Sequence, residues 1–462
     1  MKKLYDENRN LVNVSNSLLR HYGLETFHPS LKELDAILDE SKNKKICLIL
    51  LDGFGKHIQE LHSSSCRYIL SHNKRTITSV FPPTTTSATT SLLTGKYPIE
   101  TGWLGWTEKL PEYDVPCTRF LNTLTDENKT KIKTPTLELY PYVSIFDQRK
   151  EKGIKGTCLQ SFRYPDRNME SFFARAVKAL KESDFLYLYH VNPDELLHEY
   201  GTESEEVDFV IKKLNEEVEK LTKNNPDTLF LLMADHGHKN GKHFDIEEYE
   251  DFYSLLEKKW FSIEPRAASF LIKKGKEEEF RKVARKHYGE HFYIYSKKEA
   301  LEENVFGLGK MEKRIPEILG DFLLISKDES AFKLRKDNGL VSHHAGSSDD
   351  EKYINISVYN NESNKKVLDS LPGLFSILQV VLLASPCLAV AFQQVASGIF
   401  SESQYNRKQK RRCQRRYRQS ALLRKHSLRY LSAKGEEWSR ERERRPYDSS
   451  KAKQNNWPVP YP

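Results

Sequence analysis

Three apolar runs in the chain each stop at an acidic residue. "KICLILLDGFG" (Lys45–Gly55) is unbroken until Asp52-Gly53. "DFLYLYHVNPDELLHEYG" (Asp184–Gly201) is a second run, followed by an Asn192-Pro193 turn and the start of a helix at Asp194. "DTLFLLMADHGHKNG" (Asp227–Gly241) is the third, ending in Ala-Asp-His-Gly. Short continuous apolar runs with such endings predict buried parallel strands. Between the second and third, "TESEEVDFVIKKLNEEVEKLTKN" places Val207, Val210, Ile211, Leu214, Val218 and Leu221 on one helical face. Strand, helix and strand in that order predict a βαβ unit, hence an α/β fold with a mostly parallel central sheet and helices on both faces.

Residues 1–44 read as polar and helical. From about 243 to 335 the pattern changes to short strands mixed with charged helices, which predicts an inserted α+β cap. The central sheet is expected to resume near "DFLLISKD" (Asp321–Asp328) and to close after "GLVSHHAGSSDDEKYINISVYN". Residues 1–366 then form one catalytic domain. Beyond them "LPGLFSILQVVLLASPCLAVAF" (Leu371–Phe392) is 22 residues long without a charge. That suffices to span a bilayer. The segment 367–400 is read either as a membrane span or as a non-native reading frame, and 401–462 as a basic, disordered tail.

Charge supports that division. The chain of 462 residues has a net charge of +8, but residues 401–462 carry 18 basic and 6 acidic side chains. The first 400 carry 55 and 59, so the main body is mildly acidic and no specific nucleic-acid partner is expected. The six cysteines, at 47, 66, 117, 158, 387 and 413, include no CxxC pair and read as reduced thiols. The first residues contain no apolar stretch of a secretory signal. The expected location is cytoplasmic, with membrane association through 371–392 if that segment is genuine.

Parallel strands bring their carboxyl ends to one edge, where ligands bind. Asp52, Asp194 and Asp235 would collect there and repel one another unless a cation sits between them. Any one of them alone could be a helix cap. Histidines supply further ligands: His198 lies four residues after Asp194 on the same helical face, His236 follows Asp235, and "SHHAG" supplies His343 and His344. Mixed Asp/His ligation suits zinc, with manganese the alternative, and two such ions can hold both oxygens of a phosphoryl displacement. The stretch "TITSVFPPTTTSATTSLLTG" (Thr76–Gly95) crowds hydroxyls at the start of a helix, where backbone N–H groups favour phosphate. Thr84, Thr85 and Thr86 are all candidates for a nucleophile on these grounds.

"ICLILLDGFG", "SVFPPTTTSATTSLLTGKYPIETGWLGW", "NPDELLHEYG", "MADHGH" and "HHAGSSDDE" occur in an order and spacing that resembles the alkaline phosphatase superfamily, in its type I phosphodiesterase/nucleotide pyrophosphatase branch. The resemblance covers roughly residues 10–365. It implies Thr85 as the nucleophile, one zinc held by Asp52, Thr85, Asp235 and His236, and a second held by Asp194, His198 and His344. It also implies attack on a phosphodiester or nucleotide pyrophosphate bond, with a small-molecule phosphoester or nucleotide as substrate. Leu197 departs from the glycine that many members carry before the histidine. Trp103 and Arg266 are candidate substrate contacts, against readings as a packed indole and a structural ion pair. The competing functions are a phosphomonoesterase or phosphonate hydrolase, a phosphomutase, and a membrane-tethered binding protein without catalysis.

Overall fold

The three apolar runs become neighbouring strands in the computed structural model, which describes residues 3–164, 168–335, 337 and 339–360. The central sheet comprises β1 (Lys45–Leu51), β2 (Asn73–Thr78), β3 (Gly156–Gln160), β4 (Phe185–His190), β5 (Thr228–Met233) and β6 (Tyr353–Tyr359), in the order β2-β6-β5-β1-β4-β3. β1 pairs in parallel with both β4 and β5, and β3 pairs in parallel with β4. β6 runs antiparallel to β5 and β2, so the sheet is mixed. Both faces of β1, β4 and β5 are buried, which is why these strands read as continuous rather than alternating apolar runs. The expected α/β class stands.

Register decides where the acidic residues fall. Leu51 of β1 lies opposite His190 of β4, and Leu50 lies opposite Met233 of β5. All three strands therefore end at the same level. Asp52, the turn leading to Asp194, and Asp235 leave the sheet at one edge.

The N-terminal residues contribute more than a polar helix. Helix α1 (Leu11–His21) is capped by Asn10, whose side chain accepts from the Val12 and Asn13 N–H groups. It packs against helix α2 (Thr85–Thr94). Asn16 links the two, donating to the Gly95 carbonyl while its Oδ1 accepts from Phe27 and His28 N–H. A buried side-chain amide satisfied on both ends fixes the C-terminal end of α2.

A second sheet of seven strands is antiparallel throughout. It joins 292–296, 322–326, 267–270 and 262–264 to the short strands at 107–108, 117–118 and 123–124. The expectation that the central sheet resumes near Asp321 is corrected here. Phe322–Ser326 pairs with Ala267–Phe270 and Phe292–Ser296 instead. A short apolar strand buried on both faces has the same pattern in either sheet, so its sequence does not select one. An aromatic core including Phe252, Phe270, Phe280, Tyr288, Phe292 and Phe332 supports this smaller sheet.

Cys47, Cys66, Cys117 and Cys158 are free thiols. The segments 367–400 and 401–462, with Cys387 and Cys413, lie outside the described residues. The expected localisation, cytoplasmic with membrane association through 371–392, does not stand. No helix among the described residues is long and apolar enough to cross a membrane. The apolar segment itself falls outside them, and nothing places the chain in the cytoplasm.

Candidate metal and phosphoryl site

At the shared edge of β1, β4 and β5, buried carboxylates meet histidine nitrogens. The Gly53 and His236 N–H groups donate to Asp235 Oδ1, at 3.1 and 3.0 Å. Asp235 Oδ2 is buried without a partner among the described residues, 3.5 Å from His236 Nε2. The same nitrogen lies 3.4 Å from Asp52 Oδ1 and 3.2 Å from Thr85 Oγ1. His236 Nδ1 contacts the Gly237 carbonyl at 3.2 Å, so it carries the hydrogen and Nε2 presents a lone pair. Two carboxylate oxygens, an imidazole lone pair and a hydroxyl thus converge, which is the donor set of a divalent cation. Burial, and then the neighbouring Asp194 and Asp235 charges, push the Asp52 carboxyl well above its usual pKa. A cation at this point would relieve that repulsion.

The second group adjoins the first. Asp194 opens helix α3 (Asp194–Tyr200), with its own N–H bonded to the Asp52 carbonyl at 3.1 Å. One turn later His198 brings Nε2 to 3.6 Å from Asp194 Oδ1, while its Nδ1 is held by the Ser342 carbonyl at 2.8 Å. The short strand Ser342–His343 pairs with Lys239–Asn240, and Ala345 N–H reaches the Pro83 carbonyl. These two ties bring His344 over the site. Its Nδ1 is buried without a partner among the described residues, and its ring centroid is 4.1 Å from that of His236. Burial, with His236, His198 and His238 nearby, holds His344 well below its ordinary pKa, so it is a neutral imidazole able to bind a metal.

His238 is a member of this group that the sequence reading passed over. It is fully buried. Ser342 Oγ donates to the Leu197 carbonyl at 2.6 Å, so it accepts from His238 Nδ1 at 3.0 Å. His238 Nε2 then faces Asp194 Oδ1 at 2.6 Å, and a cation, a proton or a metal ion, belongs between two such acceptors. Asp194, His236, His238 and His344 each offer a ligand atom within 4.8 Å of the others, as do Asp52, Asp235 and His236. The signal in the sequence is the histidine two places after His236, in the same stretch that closes β5.

The threonines separate by partner. Thr84 Oγ1 donates to Glu264 Oε1 at 2.5 Å. Thr86 Oγ1 is buried with no partner among the described residues. Thr85, the first residue of α2, has its hydroxyl 3.4 Å from Asp52 Oδ1 as well as against His236. The neighbouring hydroxyls satisfy backbone carbonyls: Ser87 bonds Pro82, Thr89 bonds Thr85 and Thr94 bonds Thr90.

Two expected substrate contacts are corrected. Trp103 is buried, donates Nε1–H to the Tyr140 carbonyl at 3.1 Å, and lies under the Arg119 guanidinium. It does not line the cavity over the site; Trp106 does. Arg266 is fully buried, pairs with both oxygens of Glu351 at 2.7 Å, and donates to the Ser330 and Asp328 carbonyls. Its fork is consumed by structure and faces no substrate. His343 lines the cavity, but its Nε2 faces His243 Nε2 at 2.8 Å.

A cavity of 640 Å³ opens over Thr85, Asp52, Asp194, His198 and His344. Its remaining wall mixes aromatic rings, among them Trp106, Phe120, Phe162, Tyr189 and Phe261, with polar and charged side chains such as Asp126, Glu127, Lys129 and Glu195. Tyr189 also donates its hydroxyl to Asp52 Oδ2, so the wall and the metal-binding end share a residue. Glu264 is the buried acid of this wall. Burial pushes it up to about 7, against the opposing bonds from Thr84 and Trp106.

Residues 46–350 match the sequence profile of the type I phosphodiesterase / nucleotide pyrophosphatase family. No curated protein matches the chain. Among solved structures, murine ectonucleotide pyrophosphatase / phosphodiesterase 5 is similar with a TM-score of 0.52 and 16% identity, over 68% of this chain and 88% of that one. Its human counterpart has a TM-score of 0.52 and 15% identity, over 68% and 88%. Phosphonoacetate hydrolase from Sinorhizobium meliloti 1021 has a TM-score of 0.51 and 15% identity, over 69% and 90%. At these identities the likeness concerns the fold.

Proposed function

The chain belongs to the type I phosphodiesterase / nucleotide pyrophosphatase family, a hydrolase acting on phosphoester bonds, and from that membership we propose that Thr85 is its nucleophile and two zinc ions its cofactors. The observation that carries this reading is the Thr85 hydroxyl at the N-terminus of α2, 3.4 Å from Asp52 Oδ1 and 3.2 Å from His236 Nε2. Asp52, Thr85, Asp235 and His236 would hold one ion, and Asp194, His198 and His344 the other. The donor chemistry fits: a buried carboxylate oxygen and a buried imidazole nitrogen have no partner among the described residues. When bound, the ions would lower the pKa of the hydroxyl and neutralise charge on the phosphoryl group.

Thr85 Oγ attacks phosphorus as its proton passes to solvent; the new Oγ–P bond forms as the bond from phosphorus to the leaving oxygen breaks, and solvent supplies the proton that the leaving oxygen takes up. The N–H groups opening α2 face the phosphoryl oxygens and carry no charge of their own to repel them. Water then attacks phosphorus, the Thr85 oxygen departs and recovers its proton, and the second product leaves. The substrate is a small phosphodiester or nucleotide pyrophosphate. The aromatic wall would pack against its organic portion while Asp52 and His236 orient the hydroxyl.

The test uses the zinc-loaded full chain, with bis-p-nitrophenyl phosphate and p-nitrophenyl phosphate as substrates and Thr85→Ala alongside. Faster diester cleavage, lost in Thr85→Ala, is the expected result. Faster monoester cleavage would make the protein a phosphatase. Cleavage of neither ester with two zincs bound would overturn the proposed activity and leave a phosphomutase as the alternative.

A further inference from the structure

Glu264 lines the same cavity without belonging to either group of candidate metal ligands. It is 5% exposed, and its Oε1 accepts both the Thr84 hydroxyl at 2.5 Å and the Trp106 N–H at 2.8 Å. No hydrogen-bond partner occupies Oε2 among the described residues, and no lysine or arginine there forms an ion pair with the carboxyl. Arg266, two residues on, spends its donors on Glu351, Ser330 and Asp328. An acid buried at a cavity wall without a countercharge is costly and calls for a reason.

The backbone around it is shaped to present it. Ile263 has φ of +77°, a conformation that a β-branched residue adopts only when the surroundings impose it. In the strand Ser262–Glu264 this residue lies against Gly105, where a Cβ would come within 2.7 Å of the Ile263 carbonyl oxygen and Cγ2. Only glycine fits there, and the close approach lets the next strand bring the Trp106 N–H to Glu264. Strain of this kind collects at ligand-binding sites. Thr84, the residue before the candidate nucleophile, is held by the same oxygen. The carboxyl is thereby fixed relative to the phosphoryl position.

We propose that Glu264 is a specificity-determining residue that discriminates by charge, admitting monoanionic phosphodiesters and disfavouring dianionic phosphate monoesters. A diester carries one negative charge, and its second substituent can offer a hydroxyl to Oε2. A monoester places a second negative oxygen near the carboxylate, which repels it. This inference rests on the phosphodiesterase reading above and deepens it.

The test compares wild type, Glu264→Gln and Glu264→Asp as zinc-loaded full chains at about pH 9, well above the carboxyl's raised pKa of about 7. Glutamine keeps an oxygen for Thr84 and Trp106 and turns an uncharged amide towards the cavity. Two readouts are taken: the ratio of kcat/KM for bis-p-nitrophenyl phosphate over p-nitrophenyl phosphate, and binding of inorganic phosphate against dimethyl phosphate by calorimetry. In Glu264→Gln the ratio should fall roughly tenfold and inorganic phosphate should bind roughly tenfold tighter, with dimethyl phosphate, which carries one charge, gaining much less. Glu264→Asp, which withdraws the charge by one methylene, should fall between. A ratio that does not move, or an equal change for both anions, would overturn the proposal. Should Glu264→Gln fail to fold, the aspartate variant decides alone by the same criteria. If the wild type cleaves neither ester, the activity reading fails while the calorimetry still tests the discrimination.

Discussion

The two ends of the cavity are built from different material. The metal-binding end hangs from strand termini of the central sheet: Asp52 after β1, Asp194 beyond β4 and Asp235 after β5. Their positions follow from parallel register, because strands that pair in step must end in step. The far wall comes from the smaller antiparallel sheet and its approach loops, with Trp106, Phe261 and Glu264 drawn from separate segments. There no repeating grammar fixes what points inward. On the proposed reading one part of the cavity would carry the chemistry and the other the choice of substrate, and only the first is imposed by topology.

The largest effect expected is at the chemical end. Thr85→Ala removes the proposed attacking oxygen and should lower kcat by about three orders of magnitude or more, by analogy with other nucleophile deletions. Two zincs should still bind, since Asp52, Asp235 and His236 remain. Loss of metal together with activity would instead make Thr85 chiefly a ligand, and quantifying zinc by elemental analysis separates the outcomes. Asp235→Asn is the complementary break. It converts the unpartnered Oδ2 into a neutral amide and should reduce bound zinc from two ions to one, with activity falling alongside. A variant that retains two ions would detach Asp235 from the metal.

What could be read from the chain follows the same division. The apolar runs ending in Asp-Gly, Asn-Pro-Asp and Ala-Asp-His announced Asp52, Asp194 and Asp235 because a buried parallel strand and its ligand-bearing end are both local in sequence. Phe322–Ser326 was misassigned because it is equally apolar and its partners, Ala267–Phe270 and Phe292–Ser296, are not local. Glu264 went unnoticed for a related reason. Its donors Thr84 and Trp106 are 180 and 158 residues away. Trp103 and Trp106 stand three apart in one segment, and only tertiary packing turns the first beneath Arg119 and the second into the cavity.

Arg266 sharpens the contrast from the side of stability. Replacing it with alanine leaves Glu351 charged, buried and unpaired, and should destabilise the protein by about 3–5 kcal/mol, read from denaturant midpoints. Burial tends to raise the Glu351 pKa, but the Arg266 charge and hydrogen bonds prevail and hold it below its ordinary value. A carboxyl lowered in the folded state contributes stability that is complete above its unfolded pKa of about 4.3 and is lost as pH falls through the folded value. The wild type should therefore lose an increment of stability below about pH 4.3 that Arg266→Ala lacks. If Arg266→Ala instead kept full stability and raised KM for the diester, Arg266 would belong to the substrate wall after all.

The smallest effect lies within the metal-binding end and separates two histidines that the sequence presents alike. His238 places Nε2 2.6 Å from Asp194 Oδ1 and is anchored through Ser342 to the Leu197 carbonyl, so it aligns the carboxylate that the second ion would share. Removing such a partner typically costs about 10–100-fold in metal affinity. His238→Gln should thus weaken zinc at the Asp194 group by about that factor in a chelator competition, while the first group holds its ion. His343→Gln should leave the affinity unchanged, because its Nε2 is engaged by His243 at 2.8 Å rather than by the carboxylates. Equal losses in both variants would show that general loosening of the Ser342–His343 strand, not the His238–Asp194 contact, governs metal retention.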